Sequence, residues 1–118
     1  MNNKPKYHLF KNASYAIDGF KDLISTETSF KLEVIYLLIA TIGIFFIEIE
    51  TYQKLLIIGS IIFILIVETI NSAIERVVDL VTKDYHMLAK QAKDACSFAV
   101  MLSIFIHLII LGFVFGII

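Results

Sequence analysis

The sequence is poor in residues that interrupt or cross-link a chain: one proline (Pro5), one cysteine (Cys96) and five scattered glycines in 118 residues. A single cysteine excludes an intrachain disulfide and a cysteine-based metal site, and leaves Cys96 as a small apolar residue of a helix. The glycines form neither G-x-x-x-x-G-K-S/T nor G-x-G-x-x-G, so neither a P-loop nor a dinucleotide-binding turn is supported. H-E-x-x-H and the Cys/His spacings of zinc sites are also absent. Charge is scarce, at 18% of residues with a formal net of −1, which excludes a generally basic nucleic-acid binder. The first 29 residues contain no apolar core of about 7 to 15 residues before a small-residue cleavage site. No signal peptide is therefore expected, and the membrane segments serve as their own address. There is no internal repeat and no low-complexity segment.

What fills the chain instead is apolar: 58% hydrophobic residues and a mean hydropathy of +0.85. That is too apolar for a soluble domain of this length and predicts one all-α integral membrane domain over 1–118. Lys4-Pro5-Lys6 reads as a basic tail. From Tyr7, the residues Phe10, Ala13, Ile17, Phe20 and Ile24 recur at spacings of three and four, opposite Lys11, Asn12, Asp18, Lys21 and Asp22. This predicts an amphipathic helix over about 7–25 along the membrane surface, which could be no more than an anchor. Ser25 and Thr26 mark its end.

A first crossing is expected over about 30–48, starting near Glu27 and helped by a snorkelling Lys31. Glu48 to Lys54 reads as a polar turn, and a long helix follows over about 55–81. Thr82-Lys83-Asp84 breaks it, with Asp84 able to cap what comes next. Tyr85 to Asp94 is polar and helical in character, and a third crossing is expected over about 95–117. Gly112 and Gly116 form one weak small-xxx-small pair. His107 reads as a hydrogen-bonded packing residue rather than a ligand. The N-terminal segment carries Lys4, Lys6, Lys11, Lys21 and Lys31, and Arg76, Lys83, Lys90 and Lys93 lie around the second loop, whereas the first loop has only Lys54. The positive-inside rule then puts the N-terminus and the Lys83 loop in the cytoplasm.

The residues with most chemistry in them follow the apolar run Leu55 to Val67. Glu68, Asn71, Glu75 and Asp79 fall at helical offsets that put three carboxylates and an amide on one stripe. Counted from Leu55 at about 1.5 Å per residue, Glu68 lies roughly 20 Å into hydrocarbon and Glu75 roughly 30 Å, near the far edge of a core about 30 Å thick. An ionisable group at the depth of Glu68 is costly unless paired, neutral or hydrated. It is either a packing residue satisfied by a neighbouring helix or a functional one. Glu27, Glu33, Glu75, Asp79, Lys93 and Asp94 gather at one leaflet, either as solvated interfacial groups or as a site. Carboxylates such as Glu27 and Glu75 suit Mg²⁺, a lysine such as Lys93 suits phosphate, and a desolvated Glu68 suits a general base. Such parts could move phosphate from a nucleotide to a hydroxyl arriving from lipid. One copy covers the acidic stripe poorly, so a homo-oligomer with sites between subunits is expected. A small oligomeric ion or proton pathway lined by Glu68 and Glu75 is the competing class.

The run Glu68-Thr69-Ile70-Asn71-Ser72-Ala73-Ile74-Glu75-Arg76-Val77-Val78-Asp79, followed by Tyr85-His86 and Ala92-Lys93-Asp94-Ala95-Cys96-Ser97, resembles the bacterial integral-membrane diacylglycerol kinase family. That family's signature is close to E-x-x-N-S/T-A-I-E-x-x-V-D, and the resemblance takes in Tyr15, Gly19, Glu27, Phe30 and Glu33. It implies a homotrimer of three-crossing subunits in the bacterial cytoplasmic (inner) membrane, phosphorylating diacylglycerol with MgATP at sites shared between neighbours. By position, Glu68 and Asn71 look catalytic, and Glu27 and Glu75 look like the metal pair. Tyr15, Glu27, Glu75, Asp84, Tyr85, His86, Lys93 and Asp94 look like ATP contacts. Ala13, Lys21, Phe30, Glu33, Glu68 and Ser97 look like lipid contacts. His8, Ile17 and Leu111 depart from residues common in the family. A sister branch that phosphorylates undecaprenol shares the signature, and Glu33 within Phe30-Lys31-Leu32-Glu33 resembles the diacylglycerol branch.

Overall fold

The structure is a computed structural model that describes residues 8–118, so the basic tail and Tyr7 lie outside the described residues. Within them the chain is four helices: α1 (Leu9–Thr26), α2 (Thr28–Ile44), α3 (Thr51–Val81) and α4 (Met87–Val114). The main packing is α3 against α4, with α2 laid on α3 and α1 reaching α2. α3 and α4, at 31 and 28 residues, are long and apolar enough to cross a membrane. α2 has 17 residues, about 26 Å of helix, at the lower limit for a span.

Hydroxyl groups end α1 as expected: Ser25 and Thr26 donate to the Asp22 carbonyl at 2.9 and 2.7 Å. Four boundaries differ from the sequence reading. α2 stops at Ile44, because Phe45 and Phe46 tighten into a turn by bonding the Ile42 and Gly43 carbonyls. α3 begins at Thr51, inside the stretch expected as a turn. Glu50 and Gln53 form a reciprocal capping box there, with Gln53 Oε1 accepting from the Glu50 N–H at 3.0 Å, which satisfies donors that a helix start leaves orphaned. Asp84 does not cap α4. His86 does, its Nδ1 accepting from the Leu88 N–H at 3.1 Å, while Asp84 N–H turns back to Thr82 Oγ1. The polar stretch from Tyr85 and the apolar one from Ala95 are otherwise one continuous helix. It ends at Val114 because Gly116 takes φ +73° and lets Ile117 N–H return to the Gly112 carbonyl. Gly112 is covered by Ile118 of the same chain, not by another helix.

The core lies toward one end of the bundle, where Ile44, Ile57 and Ile61 are buried with Leu37, Ile110 and Leu111 against them. His107 is buried and hydrogen-bonded, as expected of a packing residue. The outer faces stay apolar and open: Leu38, Ile39, Ile42, Phe105, Leu108 and Ile109 are all exposed. A surface of that kind wants lipid or another copy against it.

Candidate active site

The α3 stripe is the spine of the site. Ile57, Ile61 and Ile64 turn its first half into the core, and the same face then carries Glu68, Ser72 and Glu75. Glu68 lies across the α2–α3 interface from the Glu33 carboxyl, near enough for each to act on the other. Glu27 and Glu75 are both near enough to act on Glu68 through space. One turn on, Asn71 Nδ2 donates to Glu75 Oε1 at 3.3 Å. Two polar atoms here are buried with no partner, Glu33 Oε2 and Asn71 Oδ1. An orphaned acceptor is costly, and a donor or a cation beside either atom would relieve that cost.

Toward the ends of α3 and α4 the groups become paired and exposed. Arg76 bridges α3 to α1: its guanidinium donates to Asp22, to Thr26 Oγ1 at 3.1 Å and to Glu27 Oε1 at 3.5 Å. Lys93 Nζ donates to Asp79 Oδ1 at 2.7 Å, joining the second turn of α4 to the last turns of α3. Asp79 holds the Lys93 ammonium above the ordinary lysine range, with Glu75 adding to its field. Lys90 pairs with Asp94 at 2.6 Å along α4. Between the two helix ends opens a cleft of about 390 Å³ lined by Thr82, Lys83, Asp84, Tyr85, His86, Lys90, Lys93 and Asp94, with Val78 and Ala89. Its size suits a small molecule, and its three lysines suit an anionic one.

Five of the residues expected to meet nucleotide (Asp84, Tyr85, His86, Lys93 and Asp94) thus line one cleft. Glu27, Glu33, Glu68, Asn71 and Glu75 form the second group. α1 is not drawn in: Tyr15 is 61% exposed, and Ala13 and Lys21 are exposed beside it. Phe30 is buried edge-on against Phe20, with ring centroids 5.9 Å apart, so within this chain it joins α1 to α2. Ser97 is exposed on α4. Sequence reasoning gave no site role to Lys83, Lys90 or Arg76, and it put Asp79 on the stripe without naming a partner for it. The i, i+4 spacing of Lys90 and Asp94 was a usable signal; the pairing of Asp79 with Lys93 across the break was not.

Among the described residues no three His, Cys, Asp or Glu side chains form a ready metal cage. A cation that keeps waters and takes one or two carboxylates plus phosphate needs no such cage. Glu27, Glu75 and the unpartnered Asn71 Oδ1 are oxygen donors of that type.

Two helices apolar enough to cross a membrane, carboxylates along one of them and a lysine-lined cleft at their ends suit a small helical membrane protein that handles an anionic ligand. The family model described as prokaryotic diacylglycerol kinase matches residues 14–115. A diacylglycerol kinase of Escherichia coli (strain K12) is 34% identical over 101 residues, 86% of this chain and 83% of that one. One from Haemophilus influenzae is 34% identical over 109 residues, covering 92% and 89%, and one from Sinorhizobium sp is 38% identical over 94 residues, covering 78% and 66%. The chain belongs to the prokaryotic diacylglycerol kinase family. It is therefore a lipid kinase, with ATP as the co-substrate that the family implies.

Proposed function

We propose that this protein transfers the γ-phosphate of ATP to the free hydroxyl of sn-1,2-diacylglycerol, giving phosphatidic acid, at the cytoplasmic face of the bacterial inner membrane. The observation that carries this reading is the row Glu68, Asn71, Glu75, Asp79. It runs from a carboxyl pair between α2 and α3 to the lysine-lined cleft, about 16 Å along α3.

In this reading ATP enters the cleft, where Lys93 supplies charge to its phosphates and Asp84, Tyr85, His86 and Asp94 surround the rest. The lipid hydroxyl arrives from the apolar side between α2 and α3. Glu68 takes its proton, the oxygen forms the new bond to the γ-phosphorus, the bond to the β-phosphate breaks and ADP leaves. Asn71 orients the reacting groups, and Glu33 and Ser97 hold the lipid headgroup. Phosphoryl transfer needs chiefly positioning and charge neutralisation. Glu27 and Glu75 would hold a Mg²⁺ ion, whose charge offsets that of the phosphates when it is bound.

The open apolar faces and the exposed Tyr15 on α1 support a homotrimer in which neighbours complete each site. With α2 as a third crossing and α1 on the membrane surface, the N-terminus is cytoplasmic. The test is a head-to-head assay of purified protein in mixed micelles with MgATP. Phosphatidic acid from diacylglycerol is the expected product. Faster turnover of undecaprenol would move the chain to the sister activity, and no transfer to either lipid would end the proposal.

A further inference from the structure

The proposed chemistry leaves one buried titratable side chain unused, and it lies in the other half of the bundle. His107 of α4 is 4% exposed and sits where three helices meet. Tyr36 Oη of α2 is 2.7 Å from its Nε2, and Ser60 Oγ of α3 is 2.7 Å from its Nδ1. Ser60 has a single hydroxyl hydrogen, which it donates to the Ile57 carbonyl at 2.8 Å. Its Oγ therefore accepts from the ring, so Nδ1 carries the proton and the Nε2 lone pair accepts the Tyr36 O–H. Every polar atom of the cluster is satisfied with an uncharged ring, and Tyr36 stands edge-on to the imidazole with centroids 5.5 Å apart.

In hydrocarbon, apolar contact alone gives helices little reason to hold one register, so packing and interhelical hydrogen bonds decide it. α2 is the short helix and packs mainly on α3. Among the described residues, the Tyr36–His107 bond is the only side-chain hydrogen bond joining α2 to α4. Tyr36 lies one turn from Glu33 on α2, and Ser60 lies about two turns before Glu68 on α3. The cluster thus grips both helices that carry the carboxyl pair.

We infer that His107 is a positioning residue: by bonding Tyr36 and Ser60 together it sets the depth and rotation of α2 against α3, and so holds Glu33 against Glu68 where the lipid hydroxyl is received. Its kinetic consequence rests on the function proposed above, whereas the geometry can be tested without it.

The experiment uses the full-length oligomer in mixed micelles. Tyr36→Phe and His107→Phe should raise the KM for lipid roughly five- to tenfold, the size of one lost hydrogen bond. The KM for ATP should stay within about twofold, and His107→Gln, which keeps a donor and an acceptor, should recover most of the loss. A lipid KM unchanged in both variants, or an ATP KM that rises in parallel, overturns the inference. Nitrogen-15 spectra of histidine-labelled protein should show the Nδ1-protonated tautomer at His107; the Nε2-protonated one overturns the inference too. The geometric half is read by joining Glu33→Cys to Glu68→Cys with a short bifunctional thiol reagent in a Cys96→Ala background. His107→Phe should slow that cross-link at least about fivefold, and an unchanged rate would sink the clamp. If the wild type phosphorylates no lipid, the proposed function fails while the cross-linking rate still decides the clamp.

Discussion

The two ends of the α3–α4 pair are made differently from the same backbone. At one end Arg76, Asp79, Lys90, Lys93 and Asp94 are largely exposed and paired in ion bridges, and the last three line an open cleft. At the other end, among the described residues, no charged side chain joins the core. Ile44, Ile57 and Ile61 close it, and the polar groups present, His107, Ser60 and Ser103, are buried and bonded. Exposed charge is cheap to keep and easy to rearrange around a ligand, whereas a satisfied buried network fixes one arrangement. The contrast suits the first end to the proposed chemistry and the second to rigidity, with Glu33 and Glu68 at the boundary between them.

The sharpest way to break that division is at the boundary. Glu68→Gln keeps the shape and removes the proposed base, and transfer is expected to fall by about a hundredfold or more, with an unchanged size-exclusion profile. Activity within twofold of wild type would remove Glu68 from the mechanism and leave it as a packing residue. Glu75→Gln acts one step nearer the cleft. It should raise the Mg²⁺ concentration for half-maximal rate by about tenfold or more, and an unchanged metal dependence would contradict a ligand role.

How far this division was readable beforehand depends on whether the interactions were local. The stripe Glu68, Asn71, Glu75 and Asp79 follows from helical periodicity, so its face was visible in the residue numbers, as was the role of His107 as a bonded packing residue. The end of α2 and the start of α3 were missed by a few residues each. A tightening turn at Phe45 and a Glu50–Gln53 capping box depend on backbone geometry that periodicity does not carry. Bonds across elements, such as Arg76 to Asp22 and Tyr36 to His107, join residues more than fifty positions apart. Nothing in their local sequence names the partner. Tyr15 and Lys21 stand exposed on α1, so the fold of this chain adds nothing to what their sequence positions imply.

A weaker test belongs to the apolar end. Ile61 is 0% exposed, and Ile61→Ala should cost about 2 kcal/mol or more of stability through lost packing. It should lower the melting temperature of the protein, with kcat of the folded fraction within about twofold. A large drop in kcat at undiminished stability would mean that the apolar end shares directly in the reaction, and the contrast between the ends would dissolve.

The smallest effect is expected at Arg76, which ties α3 to α1 through Asp22, Thr26 and Glu27. Its guanidinium is half-exposed, so water and salt compete for it and the loss on Arg76→Gln should be only a few-fold in rate. The loss should nevertheless have a character of its own, because Arg76 shares Glu27 with the proposed metal site. Freeing that carboxylate should make Mg²⁺ bind at lower concentration even as the rate falls, the opposite of what Glu75→Gln does. Exchanging the charges, with Arg76→Asp and Asp22→Arg together, should restore the link between α1 and α3 and recover more activity than either change alone, and raised salt should erase the difference. If the double variant is no better than the worse single one, Arg76 is simply a solvated charge, and α1 is held by its Phe20–Phe30 contact and its apolar face.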